Sequence, residues 1–359
     1  MTKKLWFQTG VALLLAILII KYFMEINFIF APVAIIVKTA ILPVIFGGVL
    51  FYLAEPVQRR LEASNVPRWG SITIIVACIA VIIWAFASII GPIISKQVNS
   101  LIDNAPELTE ELNEIRINLL EQKEDLQEPV RDSLDSALDS LQSIAVKFGL
   151  WIVQFLQSFV QAVVLLILVP FFFIFMLKDH EKFAPLIYNL FTGERREWVK
   201  KTLNDIDQVL RSYIQGQLLI STILASLILI GYLAIGLEYA LLLAIFALFM
   251  NVIPFLGPWI AFTPAVIIAY LQDPKLVIWV SIVTLAAQQT DSHLITPNIM
   301  GKTLDIHPLT VITLILAAGS IAGFFGILLA IPTYAVIKVI VINIYERRKE
   351  IKRAATKSI

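Results

Sequence analysis

The sequence predicts an all-α integral membrane protein. It should have about seven to eight transmembrane helices, broken or re-entrant helices in its C-terminal half, and an extracytoplasmic amphipathic helical segment. Three observations predict this. Of the 359 residues, 58% are hydrophobic and only 15% charged, against about 45–50% and about 25% in soluble domains. The mean hydropathy is +0.84. The apolar residues gather in runs at 5–20, 26–54, 71–93, 148–177, 212–236, 239–271, 276–290 and 306–345. Several exceed the roughly 20 residues that cross a bilayer core. This excludes an ordinary soluble enzyme, a disordered chain and a nucleic-acid binder. The lipid bilayer is the first partner expected.

Residues 1–93 read as N-terminal transmembrane helices. The first run lacks a small-residue cleavage site before Lys21, and more spans follow, so it reads as a span and not a cleavable leader. The connector 55–70 carries Arg59, Arg60 and Arg68. Residues 94–147 differ sharply. Within 91–149 twelve residues are acidic and five basic, whereas the rest of the chain has 23 basic and 15 acidic. Ile94, Val98, Leu101, Ala105, Leu108, Leu112, Ile115 and Leu119 alternate spacings of four and three, a heptad seam. Two amphipathic helices are expected there, at about 106–124 and 129–147, with Pro106 and Pro129 near their starts. They form either a hairpin packed on itself or an arm between subunits.

Residues 148–177 form the next span, with Gln154, Gln157, Ser158 and Gln161 on one helical face. That face either bonds a neighbouring helix or lines a polar path. The connector 178–211 is rich in lysine and arginine, and so is the tail 346–359. The positive-inside rule therefore places both termini, 55–70 and 178–211 in the cytoplasm of a multi-pass cell-membrane protein, with 91–149 outside. The region 212–345 admits two solutions. Either 239–271 and 306–345 cross the membrane, or both re-enter as hairpins at their interruptions. Both solutions return the C-terminus to the cytoplasm.

Those interruptions hold the candidate functional residues, because polar or broken backbone at membrane depth faces protein or a water cavity. Asn251, Pro254, Gly257 and Pro258 mark an expected unwound stretch whose carbonyls could hold ions or solutes; a plain kink is the alternative. Gln288, Gln289, Asp291 and His293 end a short apolar run. There Asp291 and His293 are the best ionisable pair of the C-terminal half. Gly319, Gly323 and Gly326, followed by Pro332, allow close helix approach or a second gate. Gln215 and Gln217 are further polar lining candidates.

No catalytic residues, metal ligands or cofactor are expected. A single cysteine, Cys78, and three histidines leave little material for a metal cage. Gly301-Lys302-Thr303 resembles the end of a P-loop, but Thr296 stands where the phosphate cradle needs glycine. His180-Glu181 lacks the second histidine of a zincin helix, and no Gly-x-Ser-x-Gly elbow occurs. An enzyme or an ATP-driven pump is not expected. Transport driven by gradients, or passive passage, remains.

At these residues the chain resembles the AI-2E family, also described as autoinducer-2 exporter-like or PerM-like permeases. The likeness rests on Tyr213-Ile-Gln-Gly-Gln217, Asn251-Val-Ile-Pro-Phe-Leu-Gly-Pro258, Gln289-Thr-Asp-Ser-His-Leu-Ile-Thr-Pro297 with the following Asn298 to Thr303, His307-Pro308, and Gly323-Phe-Phe-Gly-Ile-Leu-Leu-Ala-Ile-Pro332. The order and spacing of these blocks cover nearly the whole chain. The family often has a basic residue where Gln215 stands and asparagine where Ser292 stands.

The resemblance implies a multi-pass transporter of the cytoplasmic membrane without a nucleotide site, forming homo-oligomers. It implies either export of a small polar solute such as the quorum-sensing signal autoinducer-2, or exchange of sodium or lithium for protons. A membrane scaffold that binds a partner through its acidic helices is the third expectation. Export would use the broken segments as gates and the glutamines as hydrogen-bonding groups. Antiport would use Asp291, with His293 or Glu238 nearby.

Overall fold

The computed structural model describes residues 5–25, 31–121, 168–301 and 306–357. Among these the chain is helical, with no strand. The second run of polar glutamines, Gln154, Gln157 and Gln161, lies outside the described residues, as does the expected helix 129–147. The helices are α1 Leu5–Glu25, α2 Ala31–Ala63, α3 Arg68–Glu121, α4 Leu168–Tyr188, α5 Gly193–Ala234, α6 Ala240–Met250, α7 Leu256–Gln272, α8 Leu276–Thr290, α9 Thr296–Met300 and α10 Pro308–Lys357. A π-helical segment, Asp291–Ile295, joins α8 to α9. Among the described residues, four helical stretches are long and apolar enough to cross a membrane: Thr39–Ala63, Arg68–Gln97, Gly193–Ala234 and Pro308–Glu350. Shorter apolar helices, among them α6 and α7, accompany them.

The backbone of α3 corrects one expectation. The helix does not stop near 93 and restart at Pro106; it runs unbroken to Glu121. The heptad seam that begins at Ile94 is thus a continuation of the apolar helix. A proline inside a helix loses one backbone bond and crowds the preceding turn, at about 3 kcal/mol, so the helix continues through Pro106 against its local preference.

Helix α5 is the axis of the molecule. Its 42 residues span roughly 63 Å at 1.5 Å per residue. It ends in a Schellman motif. Leu237 N–H bonds Tyr232 O at 3.0 Å, Gly236 N–H bonds Leu233 O at 3.1 Å, and Gly236 takes a φ of +69°. The start of α5 carries Arg195, Arg196, Lys200 and Lys201 and is called here the basic end; Gly236 marks the far end.

Helices α6 and α7 form a hairpin entered from the far end. The Gln272 side chain, last in α7, accepts from Glu238 N–H and donates to Gly236 O, both at 2.9 Å. The chain therefore leaves α5, descends through the 11 residues of α6, turns at 251–255 and climbs back to its starting level. The run 239–271 is therefore a helical hairpin rather than one continuous helix.

Helix α10 holds a second hairpin, entered from the basic end. Ala322 (φ −134°, ψ 19°) and Gly323 (φ 58°, ψ −141°) leave helical geometry. A Cβ added to Gly326 would lie 2.0 Å from Ala318 O, and one added to Gly319 would lie 3.1 Å from Ile327 Cγ1. Residues eight apart in a straight helix are about 12 Å apart along its axis, so the chain must double back. Ile315 accordingly packs in one cluster with Ala330 and Ile331. The returning arm ends at the basic end, where Trp198 Nε1–H bonds Asn343 O at 3.2 Å and Asn343 Nδ2–H bonds Asp205 at 2.9 Å.

Between the hairpins, α8, the π segment and α9 make one rod antiparallel to α5. Tyr232 and Thr284 share a hydrogen bond of 3.0 Å near the far end. Met300 lies against Gly216 nearer the basic end. The run expected to end at residue 290 therefore continues through a π segment to residue 300.

The core is divided. Helices α5 to α8 bury one cluster around Leu224, Tyr232, Leu243, Ala265 and Val280. Both hairpins and the rod bury a second around Tyr213, Ile220, Ile253, Met300, Ile315 and Ile331. Helices α2 to α4 bury a third around Phe51, Ile72, Ile75, Phe173 and Leu177.

Candidate functional site

The first hairpin turns where the sequence places its broken stretch. Asn251 caps α6, Phe255 takes a φ of +64°, and α7 begins at Leu256. A non-glycine residue at positive φ stores strain that the surroundings must hold. The carbonyls here are not open to a solute, which differs from the unwound stretch expected. Met250 O accepts from Ile253 N–H at 2.9 Å, Ile253 O from Gly257 N–H at 3.0 Å, and Asn251 O from Gln217 Nε2–H at 2.7 Å. The turn closes on itself because each freed carbonyl would otherwise lie unpaired in an apolar setting. Pro254 and Pro258 are half-buried beside it, and Gly257 is buried against the Met250 carbonyl.

The side chain of Asn251 is different. The residue is 4% exposed, and neither Oδ1 nor Nδ2 meets a partner within the protein. Ser221, one helical turn from Gln217 on α5, is fully buried and its hydroxyl is likewise unpartnered. Buried groups of this kind are costly and are the exception in folded chains. Here they gather around Gln217 at the tip of a hairpin. Gln215 does not join them. It lies about 200° around α5 from Gln217 and donates instead to Tyr52 O on α2.

The residues of the π segment are brought together only in part. Asp291 is half-buried and accepts from Thr296 Oγ1–H at 2.8 Å. His293 is exposed while Asp291 turns to Thr296, so the two are not drawn together as an ionisable pair. Glu238 lies at the far end beside Gln272. Gln288 is half-buried with Nε2 unpartnered, and Gln289 is exposed. π segments are rare and recur at functional sites. At the second hairpin, Gly323 supplies the positive φ of the turn, Gly319 and Gly326 admit the opposite arm, and Pro332 is half-buried in the returning arm. Among the described residues, no three His, Cys, Asp or Glu side chains gather as metal ligands would.

The sequence reading missed a charged cluster. Glu55 on α2 is 0% exposed and pairs with Arg59 and with Arg211 of α5. Arg211 also binds Asp207 at 2.9 Å, and Tyr52 O–H donates to Asp207 at 3.0 Å. Glu55 follows an apolar run and precedes a basic connector, so it reads as the edge of a span. Its partner Arg211 is 156 residues away in sequence, and no local pattern joins the two. One turn further along α2, Gln58 donates to Leu177 O at 3.1 Å. Arg68 bonds Glu181 at 2.9 Å, which holds that exposed carboxyl below its usual range. The Lys182 ammonium does the same for Asp179.

With this geometry in view, the AI-2E family transporter profile matches residues 11–346. The transport-protein candidate YueF of Bacillus subtilis (strain 168) is 32% identical over 346 residues, covering 92% of this chain and 91% of that protein. YrrI of the same organism, also a transport-protein candidate, is 29% identical over 338 residues, covering 94% and 96%. The permease candidate PerM of Escherichia coli (strain K12) is 25% identical over 305 residues, covering 83% and 86%.

Proposed function

This chain belongs to the AI-2E transporter family and is a helical membrane transporter; from that premise we propose that it is a secondary transporter exporting a small polar solute of the autoinducer-2 kind. The observation that carries the reading is the meeting of two helical hairpins, entered from opposite ends, in one cluster on α5. Broken helices that meet inside an apolar bundle are how secondary transporters build a site at mid-depth. The unpartnered groups there, Asn251 Oδ1 and Nδ2 and Ser221 Oγ, are uncharged hydrogen-bonding groups. They suit a neutral polar solute better than a bare cation. In this reading the basic end faces the cytoplasm, with both termini on that side, and the exposed apolar faces of α3 meet lipid or further copies of the chain.

The test is flux of radiolabelled autoinducer-2 in proteoliposomes. Asn251→Leu should cut saturable flux by about tenfold or more, because a site built to hydrogen-bond a solute discriminates strongly when its polar group is lost. Unchanged flux in a folded variant would remove the hairpin tip from the path.

A second reading, exchange of sodium or lithium for protons, has one observation in its favour. Asp291 is the only carboxylate in the rod of α8, the π segment and α9, and it opens the π segment. Under this reading Asp291→Asn abolishes cation-triggered proton movement in vesicles loaded with a pH dye. Retained exchange would exclude Asp291 as the exchanging group.

A further inference from the structure

The described helices fall into two bodies with separate apolar cores. Helices α2 to α4 share the cluster around Phe51, Phe173 and Leu177, which contains no residue from α5 onward. The clusters of α5 to α10 contain no residue from α2 to α4. Among the described residues, the side-chain hydrogen bonds seen between the bodies are polar links. Midway along α5 stand Arg211 to Glu55, Tyr52 to Asp207, and Gln215 to Tyr52 O. Toward the far end, Leu242 N–H bonds the Gln97 side chain at 3.0 Å.

Such a seam is built to part. An apolar contact, once opened to water, is penalised over its whole area. Charged and amide groups recover hydration when they separate. An ion pair with a fully buried carboxylate, such as Glu55 with Arg211, is also a poor device for stability alone, since apolar residues of like volume do as well or better. Polar interfaces between bodies accordingly permit relative motion.

We infer that the α2–α4 body and the α5–α10 body rock on this seam, and that Glu55, Arg211 and Asp207 form a charge latch across its middle. The latch also communicates with the hairpin tip. Gln215, bonded to α2, and Gln217, bonded to the Asn251 carbonyl, lie two residues apart on one rigid helix. Freeing α5 from α2 therefore moves the anchor of the turn.

The test reads the opening itself and needs no knowledge of the solute. In a Cys78→Ser background, a cysteine placed at Gln215 is labelled in proteoliposomes with a membrane-impermeant maleimide. Glu55→Gln should raise the labelling rate by about tenfold or more by shifting the population toward the open seam. The exchanged pair Glu55→Arg with Arg211→Glu should bring the rate back toward the parent value. Asp207→Asn, which leaves Glu55 and Arg211 in place, should give a smaller rise and serves if Glu55→Gln fails to fold. An unchanged rate in folded Glu55→Gln, or in Asp207→Asn when that variant must stand in, overturns the latch. Failure of autoinducer-2 flux with an intact labelling response would sink the proposed solute and leave the latch standing.

Discussion

Gly257→Ala will destabilise the protein, and Gly257→Val will abolish both its cooperative unfolding and its transport. A Cβ at this position would lie 2.0 Å from Met250 O, 2.6 Å from its carbonyl carbon and 2.9 Å from Asn251 Cα. All three are backbone atoms, so no side chain can swing aside. The turn must open, and opening it breaks the Gly257 N–H bond to Ile253 O and the Gln217 bond to Asn251 O. We expect a loss of about 3 kcal/mol or more for alanine, at the upper end of overpacking penalties. Gly91→Ala is the control. Nothing lies within 4 Å of its added Cβ, and alanine in a helix gains about 0.5–1 kcal/mol over glycine. Thermal unfolding in detergent, followed by tryptophan fluorescence, separates the two. Equal midpoints for Gly257→Ala and the parent would refute the packing described here.

Glu55→Ala should cost about 3–5 kcal/mol, because it strands the Arg211 guanidinium at a protein interface with half its counter-charge removed. Arg59, whose side chain is 64% exposed, can turn to water and moderates the loss. Adding Arg211→Met to Glu55→Leu should recover most of the stability, since a matched apolar pair fills the space without uncompensated charge. The double variant would then be stable yet defective in transport, having exchanged a separable contact for an adhesive one. Unfolding midpoints and flux measured on the same preparations check this. A Glu55→Ala variant no less stable than a typical surface substitution, within about 0.5 kcal/mol, would mean that the pair is not buried as described.

The class of the protein and the position of its breaks were legible in the chain. Apolar run length reports on membrane helices directly, because the bilayer imposes one length on every crossing. Prolines and glycines report on turns through backbone sterics alone, which is why 251–258 and 319–326 stood out. What the breaks do was not legible. Pro254 and Pro258 suggested an unwound stretch with open carbonyls, yet the turn pairs its carbonyls with Gln217 and with its own amides. Gln215 and Gln217 read as one polar lining, but they face opposite sides of α5. Asp291 and His293 read as a pair, but only Asp291 is drawn inward. The backbone of 94–121 was legible as helix but not as a continuation of α3. Glu55, the most buried acid described, was not singled out at all.

By itself the sequence determined that this is an all-α membrane protein, where its helices break, and that it resembles the AI-2E family. Composition, run length and local sterics act over a few residues and need no fold to be read. Only the tertiary structure decided that both long interrupted runs are hairpins entered from opposite ends, and that α8, the π segment and α9 form one rod. It alone set Glu55 against Arg211 in a polar seam between two cores. Several of those facts rest on contacts remote in sequence, 34 positions for Gln217 and Asn251, 156 for Arg211 and Glu55, and 163 for Gln215 and Tyr52. Charge counting gives the same parity for a hairpin as for a pair of crossings, and a carboxylate carries no local mark of the arginine that will neutralise it.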